Sequence, residues 1–261
     1  MSVKDKAVVI TGATRGIGKA MAIHLAAEGA RVSVVGRSVE RGDRVVADIT
    51  AAGGTASFIH CDVSVEDDVA ALFEQVTRRH GFIDAVVNNA AATDVASRDH
   101  PVVEQTTADF DHFVRSCLYS VFWTFKYGIP AMSLSGGAFV TISSIAAMVS
   151  TRAQGSYAAA KAAATTLSRQ VAVDYGDAGI RANVLTLGFI ETNATGPLLD
   201  DPSIGPAVRA ATGGRPPSAL DVARAVGFLA SDDACGFNGA NLILDRGMTA
   251  ISNVPDLSRE P

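Results

Sequence analysis

The feature that most constrains the fold of this chain is a repeated alternation of short apolar runs with longer segments of helical spacing. Between the runs lie amphipathic stretches such as Ile17–Ala27, whose apolar side chains recur at i, i+4 on one helical face. This alternation predicts right-handed crossovers and a doubly wound, parallel α/β sheet with helices on both faces, formed by residues 1–261 as a single domain. The expected strands are Ala7–Ile10, Arg31–Val35, Ser57–Cys61, Ala85–Val87, Ala138–Ile142, Ala182–Leu187 and Asn241–Leu244.

The composition of the chain argues against nucleic acid, a metal ion or a membrane as its partner. The chain has 22 basic and 27 acidic residues, a net charge of −5 that argues against nucleic acid as the main partner. The cysteines at 61, 117 and 235 have no metal-ligand spacing, so we expect reduced thiols, no metal site and a cytoplasmic location. The uncharged segment 127–151 contains Pro130 and the pair Gly136-Gly137, so we expect it to break into a turn and a strand rather than to cross a membrane.

A glycine-rich turn follows the first expected strand and leads directly into a helix. It reads TGATRGIG at residues 11–18. Gly12 suits a tight turn, Gly16 the close approach of a pyrophosphate, and Gly18 close packing of helix on strand. The helix start offers free N–H groups and the positive end of a dipole. The pattern therefore predicts a Rossmann-type dinucleotide site.

The end of the second expected strand distinguishes the two nicotinamide cofactors. NAD sites place an acidic side chain here for the ribose hydroxyls, whereas NADP sites use arginine for the 2′-phosphate. This chain has Gly36 followed by Arg37 and Ser38, and Arg15 lies in the glycine turn. Arginine suits forked recognition of phosphate oxygens, so the sequence favours NADP(H).

Further motifs occur in a fixed order along residues 5–249. TGxxxGxG is followed by Asp62-Val63, by Asn-Asn-Ala-Ala at 88–91, by Ser144, by Tyr157-xxx-Lys161 and by Thr192. The set resembles the short-chain dehydrogenase/reductase family, and within it the 3-oxoacyl-carrier-protein reductases. The resemblance implies cofactor contacts from Gly12, Thr14, Arg15, Gly16, Ile17, Gly18, Arg37, Ser38, Asp62, Val63, Asn89, Ala90, Tyr157, Lys161, Ile190 and Thr192.

The same resemblance implies a catalytic trio of Ser144, Tyr157 and Lys161. A tyrosine hydroxyl is a weak acid at neutral pH, and the charge of Lys161, four residues later on one helix face, is expected to favour its ionised form. Ser144 would hydrogen-bond the carbonyl oxygen where negative charge develops. One family residue is missing: Cys117 stands where the family has an asparagine that helps to hold a proton-relay water. We expect the main chain to do this work if the helix bends there.

Residues 191–217 contain five prolines and four glycines, which predicts an irregular excursion with at most short helices. It follows a strand end, so we expect a substrate lid, although a surface insertion without a function remains an alternative. Ala92, Met148, Gln154, Leu187 and Phe189 are further candidates for the substrate pocket.

The sequence thus favours an NADPH-dependent oxidoreductase that reduces a ketone or oxidises a secondary alcohol. Two alternatives stay open: a relative of the same fold that acts on an imine or a diol, and a cofactor-binding protein whose active site has drifted. The resemblance also implies a homo-oligomer, a dimer or tetramer, with the helices expected at Phe110–Tyr127 and Tyr157–Asp174 as interface candidates.

Overall fold

The computed structural model describes residues 3–132 and 136–250. Their centre is one parallel sheet of seven strands in the order β3-β2-β1-β4-β5-β6-β7. From β1 the first strands are added on one side and β4 to β7 on the other, so the strand order switches between β1 and β4. Ligands of such sheets bind near this switch point, at the carboxyl ends of the strands. The strands are β1 (Ala7–Thr11), β2 (Arg31–Gly36), β3 (Thr55–His60), β4 (Ala85–Asn88), β5 (Gly137–Ser144), β6 (Ile180–Leu187) and β7 (Asn241–Leu244).

Helices connect the strands and cover both faces of the sheet. They are α1 (Gly16–Ala27), α2 (Val39–Ala51), α3 (Glu66–His80), α4 (Val95–Arg98), α5 (Thr107–Val114), α6 (Ser120–Gly128), α7 (Gly155–Asp174), α8 (Gly196–Asp200), α9 (Gly205–Ala211) and α10 (Ala219–Ala230). A π-helical turn (Arg115–Tyr119) joins α5 to α6, and short 3₁₀ turns occupy Ile129–Ala131, Ile145–Ala147, Gly176–Ala178 and Asp232–Ala234.

Two apolar cores, one on each face, explain why these runs form central strands. In β1 every residue is buried, and successive side chains point to opposite faces. Val8 and Ile10 pack in the core that contains Leu25 of α1, whereas Val9 packs in the core that contains Phe73 of α3. Because such a strand is buried on both faces, its sequence does not alternate between apolar and polar residues and is instead a nearly continuous apolar run.

The structure confirms the doubly wound α/β fold and all seven expected strands, with ends that move by no more than two residues. The parts of the expected domain at 1–2, 133–135 and 251–261 lie outside the described residues. The uncharged segment 127–151 forms the end of α6, strand β5 and two 3₁₀ turns, with 133–135 again outside the description. Within the described ranges no helix is long and apolar enough to cross a membrane.

Candidate active site

The structure brings the predicted site residues to one edge of the sheet, because parallel strands all end there. The turn at 11–18 follows β1, Arg37 and Ser38 follow β2, and Asp62 and Val63 follow β3. The remaining residues follow β4 (Asn89, Ala90), end β5 (Ser144), lie in the first two turns of α7 (Tyr157, Lys161) or follow β6 (Ile190, Thr192).

The glycine turn is packed too tightly for side chains at two of its three glycines. Gly12 has a φ of +66°, and a Cβ on it would lie 2.9 Å from the Cα of Ala90. A Cβ on Gly18 would lie 2.2 Å from the carbonyl oxygen of Gly12. Beside Gly16, by contrast, no heavy atom lies within 4 Å of the Cβ position. The turn is therefore closed toward the sheet and open at the start of α1.

The open side has the character of an anion site. Arg15 precedes α1 in an extended conformation, no side chain caps the helix, and no acidic residue lies in its first turn. Unsatisfied N–H groups at such a terminus bind phosphate groups. The residues present thus fit the pyrophosphate of a dinucleotide.

Asn89 and Thr11 hold the glycine turn against β4. The Asn89 side chain donates from Nδ2 to the carbonyl oxygens of Thr11 (2.8 Å) and Gly12 (3.2 Å). The Thr11 hydroxyl oxygen accepts from the main-chain N–H groups of Asn89 (3.0 Å) and Ala90 (3.1 Å). The two strand ends at the switch point therefore form one rigid unit.

The end of β2 is occupied by cationic rather than acidic groups. Arg37 is exposed, and its Nη1 lies 3.6 Å from Oδ2 of Asp62. Ser38 caps α2 by accepting from the N–H of Arg41 (3.3 Å). Arg15 donates from Nη2 to the hydroxyl of Thr93 (3.0 Å). Arg15 thus lies at the open terminus of α1, and Arg37 lies at the surface directly after β2.

Space, not backbone torsion, requires a glycine at position 36. The backbone of Gly36 does not have the positive φ that favours glycine. A Cβ on it would lie 2.7 Å from Cγ2 and 3.2 Å from Oγ1 of Thr14. Any side chain here, including an acidic one, would have to displace Thr14.

Asp62 is ionised beside Arg37. Partial burial acts to raise the pKa of Asp62, but hydrogen bonds from Ser64 and the nearby Arg37 guanidinium lower it overall. The Ser64 N–H and hydroxyl both donate to Oδ1, at 3.0 and 2.7 Å. The preceding residue, Cys61, is the opposite case: burial, with the charges of Asp68 and Asp62, raises its pKa to about 12. It remains a thiol and is not a nucleophile.

Lys161 is the central charged group of the catalytic trio. It is only 4% exposed, and its Nζ donates to the carbonyl oxygen of Ile142 (2.8 Å). The same Nζ lies 5.8 Å from the centre of the Tyr157 ring, which also packs edge-on against Phe113. An ammonium has three donors, and this one has a single hydrogen bond to the described residues. The remaining donors suit the hydroxyl groups of a ligand.

Ser144 is the last residue of β5, and hydrogen bonds fix this end of the strand relative to α7. Its Oγ accepts from the N–H of Ala146 (3.2 Å) and starts a 3₁₀ turn. The hydroxyls of its neighbour Ser143 and of Thr165 on α7 lie 2.9 Å apart. Strand and helix are therefore tied directly below the trio.

The helix at Cys117 departs from α-helical pairing, which is the condition on which the expected main-chain role depends. Residues 115–119 form a π-helical turn in which Cys117 is fully buried. The Ser116 hydroxyl donates to the carbonyl oxygen of His112 (2.7 Å), and the Ser120 hydroxyl to that of Ser116 (2.8 Å). A π turn contains one extra residue, so its carbonyl groups are displaced from their α-helical partners.

The segment 191–217 leaves and rejoins the sheet edge at one point. The Glu191 N–H donates to the carbonyl oxygen of Pro217 (2.8 Å), and the two helices between, α8 and α9, are short, as predicted. Ile190 is buried, while Thr192 is tied to Thr195 through two hydroxyl groups 3.0 Å apart. Leu187, a pocket candidate, packs in the core of the sheet.

Sequence reasoning missed two features of this site. One is the contact of Thr14 with Gly36. The other is Asp99, a buried residue whose carboxylate binds the start of α7. The sequence did contain a signal for the role of Asp99. The residue before α7 is Gln154, whose side chain does not cap the helix, so a cap had to come from elsewhere.

The comparisons with known proteins identify the family. A family model described as enoyl-(acyl carrier protein) reductase matches residues 12–249. This chain belongs to the short-chain dehydrogenase/reductase family. As a member it is an oxidoreductase of CH–OH and C=O groups that binds a nicotinamide cofactor.

Several relatives share a third or more of their residues with this chain. It is 39% identical to the 3beta-hydroxysteroid dehydrogenase of Mediterraneibacter gnavus over 73% of this chain and 68% of that protein. It is 37% identical to the cis-4-hydroxycyclohexanecarboxylate dehydrogenase of Sinomonas cyclohexanicum, over 95% and 98%. Identity to the 3-oxoacyl-[acyl-carrier-protein] reductase of Escherichia coli is 34%, over 95% and 99%.

Solved structures of family members superpose on most of the chain. A short-chain type dehydrogenase/reductase from Mycobacterium ulcerans matches with a TM-score of 0.90 and 28% identity, covering 96% of this chain and 92% of that one. A 7 alpha-hydroxysteroid dehydrogenase in complex with NADH and 7-oxo glycochenodeoxycholic acid matches with a TM-score of 0.88 and 32% identity, covering 94% and 95%.

Proposed function

We propose that this protein is an NADPH-dependent member of the family that reduces a ketone, or oxidises a secondary alcohol, with Tyr157 as the acid/base. The observation that carries the proposal is the buried Lys161 ammonium beside the Tyr157 ring, with one hydrogen bond to the protein. It lies at the same sheet edge as the open terminus of α1.

Each member of the trio has a distinct task in this proposal. Tyr157 donates the proton to the substrate oxygen, and the Lys161 ammonium beside its ring would bind a ribose hydroxyl of the cofactor. The Ser144 hydroxyl hydrogen-bonds the same oxygen as it gains negative charge. The bound cofactor supplies the hydride. Main-chain carbonyl groups of the π-helical turn hold the relay water in place of an asparagine side chain.

The preference for NADPH rests on the residues around β2. Arg37 and Arg15 offer two cations for a 2′-phosphate, and the contact between Thr14 and position 36 disfavours the acidic side chain that an NAD site requires. Arg37 pairs with Asp62 at 3.6 Å. One solved family member is in complex with NADH, so membership of the family alone does not favour NADPH, and the proposal depends on these residues.

The names of the relatives support an alcohol or ketone rather than an imine as the substrate. Two of them are named as dehydrogenases of hydroxylated rings. We propose that residues 191–217 form the lid of the substrate pocket, because their joined ends at Glu191 and Pro217 allow α8 and α9 to move as one flap.

We also propose a cytoplasmic homo-oligomer. All three cysteines are free, as expected of a reducing compartment. The helices α6 and α7 present exposed apolar side chains, among them Phe122 and Val173, that a second copy would cover. Sedimentation velocity measures the assembly directly.

A steady-state screen tests the proposed reaction. The wild-type protein is assayed against ketones, β-ketoesters, cyclic secondary alcohols, imines and diols with NADPH/NADP and NADH/NAD. We expect turnover of at least one ketone or secondary alcohol and a higher kcat/KM with the phosphorylated cofactor. Turnover of imines or diols alone would favour the first alternative, and NADPH binding without turnover would favour a non-enzyme.

A further inference from the structure

The start of α7 is capped by a carboxylate from a distant part of the chain. Gln154, which precedes the helix, makes no side-chain cap. Instead Asp99 accepts two main-chain hydrogen bonds, from the N–H of Ser156 to Oδ1 (3.1 Å) and from the N–H of Tyr157 to Oδ2 (2.9 Å). Asp99 is only 2% exposed, although it lies in the connection between β4 and α5.

We propose that Asp99 is a positioning residue for Tyr157. Its carboxylate fixes the first turn of α7 and so the place of the tyrosine hydroxyl relative to Lys161 and Ser144. The inference rests on the proposed function, in which that hydroxyl transfers a proton. Asp99 itself acts only through the main chain of α7.

The physical basis is the chemistry of a helix start. The first N–H groups of a helix have no partner within it, and hydrogen bonds from them to a carboxylate are charge-assisted. The negative charge also lies at the positive end of the helix dipole. One of the two bonds is to Tyr157 itself, so any movement of this turn moves the proposed acid.

Further along, α7 is fixed by contacts that do not involve Asp99. Lys161 binds the carbonyl oxygen of Ile142, and Thr165 contacts Ser143 on β5. Loss of Asp99 would therefore loosen the first turn, which starts at Gly155, a poor helix former, while the following turns stay in place. Tyr157 would move relative to Lys161 rather than together with it.

The segment that carries Asp99 is itself braced. The Asp99 N–H donates to the carbonyl oxygen of Val95 (2.9 Å). Arg98, its neighbour, pairs with Asp94 (2.9 Å) and with Asp109 of α5 (2.7 Å). On the other side, the His100 N–H donates to Oε1 of Gln105 (2.8 Å). The carboxylate is thus presented to α7 from a fixed frame.

The test compares Asp99→Ala and Asp99→Asn with a variant at the opposite edge of the sheet. Asp84, which directly precedes β4, is the matched control, because its carboxylate also accepts a main-chain N–H from a distant part of the chain, that of Ala7 (2.7 Å). For each variant we measure the melting temperature, kcat, KM, the Kd for NADPH, and the isotope effect on kcat with 4-deuterated NADPH.

We expect Asp99→Ala to lower kcat at least about tenfold, because a misplacement of ~1 Å can cost ~100-fold. The isotope effect should rise as chemistry becomes rate-limiting, while the Kd for NADPH stays within about threefold of wild type. Asp99→Asn, which retains one acceptor oxygen, should lie between wild type and Asp99→Ala. Asp84→Ala should lower the melting temperature, because it removes the acceptor of the Ala7 N–H, and should leave kcat within about twofold.

Two results would overturn the inference: a kcat for both Asp99 variants within about threefold of wild type, or an equal loss of kcat in Asp84→Ala. If Asp99→Ala does not fold, the near-isosteric asparagine variant decides. A wild-type protein without turnover would refute the proposed function instead, and with it a role of Asp99 in catalysis. Unchanged hydrogen exchange at the Ser156 and Tyr157 amides in Asp99→Asn would refute the capping itself.

Discussion

The helices α1 and α7 begin at the same edge of the sheet, but their first turns differ in what satisfies the free N–H groups. At α1 no side chain caps the helix, no acid lies in the first turn, and the space beside Gly16 is open. At α7 the buried Asp99 carboxylate binds two N–H groups. The first terminus can bind an external anion, and the second is closed by an internal one. The difference separates the cofactor site from the group that performs proton transfer.

Adding a side chain at Gly18, on the tightly packed side of the glycine turn, should have the largest effect on stability and cofactor binding. In Gly18→Ala the new methyl group would lie 2.2 Å from the Gly12 carbonyl oxygen. Overpacking of this kind costs about 3 kcal/mol in unfolding free energy, although alanine is the better helix former. Affinity for NADPH and NADH should fall together, because the turn binds the part that they share.

Chemical denaturation and calorimetry of Gly18→Ala measure both effects. Gly236→Ala is the matched control, since nothing lies within 4 Å of its Cβ position, and it should behave as wild type. Unchanged binding of both cofactors by Gly18→Ala would mean that the α1 terminus is not the anion site.

Removing Arg37 should lower the affinity for NADPH without lowering that for NADH, and so test the cofactor site at the start of α1. A hydrogen bond to a charged group contributes ~1.5–3 kcal/mol, so Arg37→Ala should weaken NADPH binding by ~10–150-fold. NADH has no 2′-phosphate, so its affinity should change little. Calorimetric titration of both cofactors measures this, and wild type binding NADH more tightly than NADPH would contradict the assignment.

Substitution of Cys117 tests the α7 side and should have the smallest effect. If main-chain carbonyl groups of the π-helical turn hold the relay water, the side chain at 117 is not needed. Cys117→Ala and Cys117→Asn should then each change kcat by less than about tenfold, ~1.4 kcal/mol in barrier. Single-turnover oxidation of NADPH with one accepted ketone is the measurement. A gain well above tenfold in the asparagine variant alone would show that the relay depends on the amide.

Features that depend on a local pattern of residues could be predicted from the sequence, whereas features that depend on the approach of distant segments could not. The five inner strands could be placed within two residues because apolar runs buried on both faces have a distinct composition. The edge strands β3 and β7, which are only partly buried, were placed with the same accuracy. The glycine turn could be recognised because its pattern lies within eight consecutive residues. The hydrogen bond from the Tyr157 N–H to Asp99, by contrast, spans 58 positions. The contact of Thr14 with Gly36 needs β1 and β2 already paired.

The most direct test of the account is a comparison of binding and chemistry in Tyr157→Phe. This change removes the hydroxyl, little volume and none of the α1 terminus, whereas Lys161→Ala removes a group assigned to both tasks. We predict that Tyr157→Phe binds NADPH with wild-type affinity but loses ~100-fold or more in single-turnover rate, while Lys161→Ala loses both. A Tyr157→Phe protein that retains most of its turnover, or that no longer binds NADPH, would contradict the division of labour between the two helix termini.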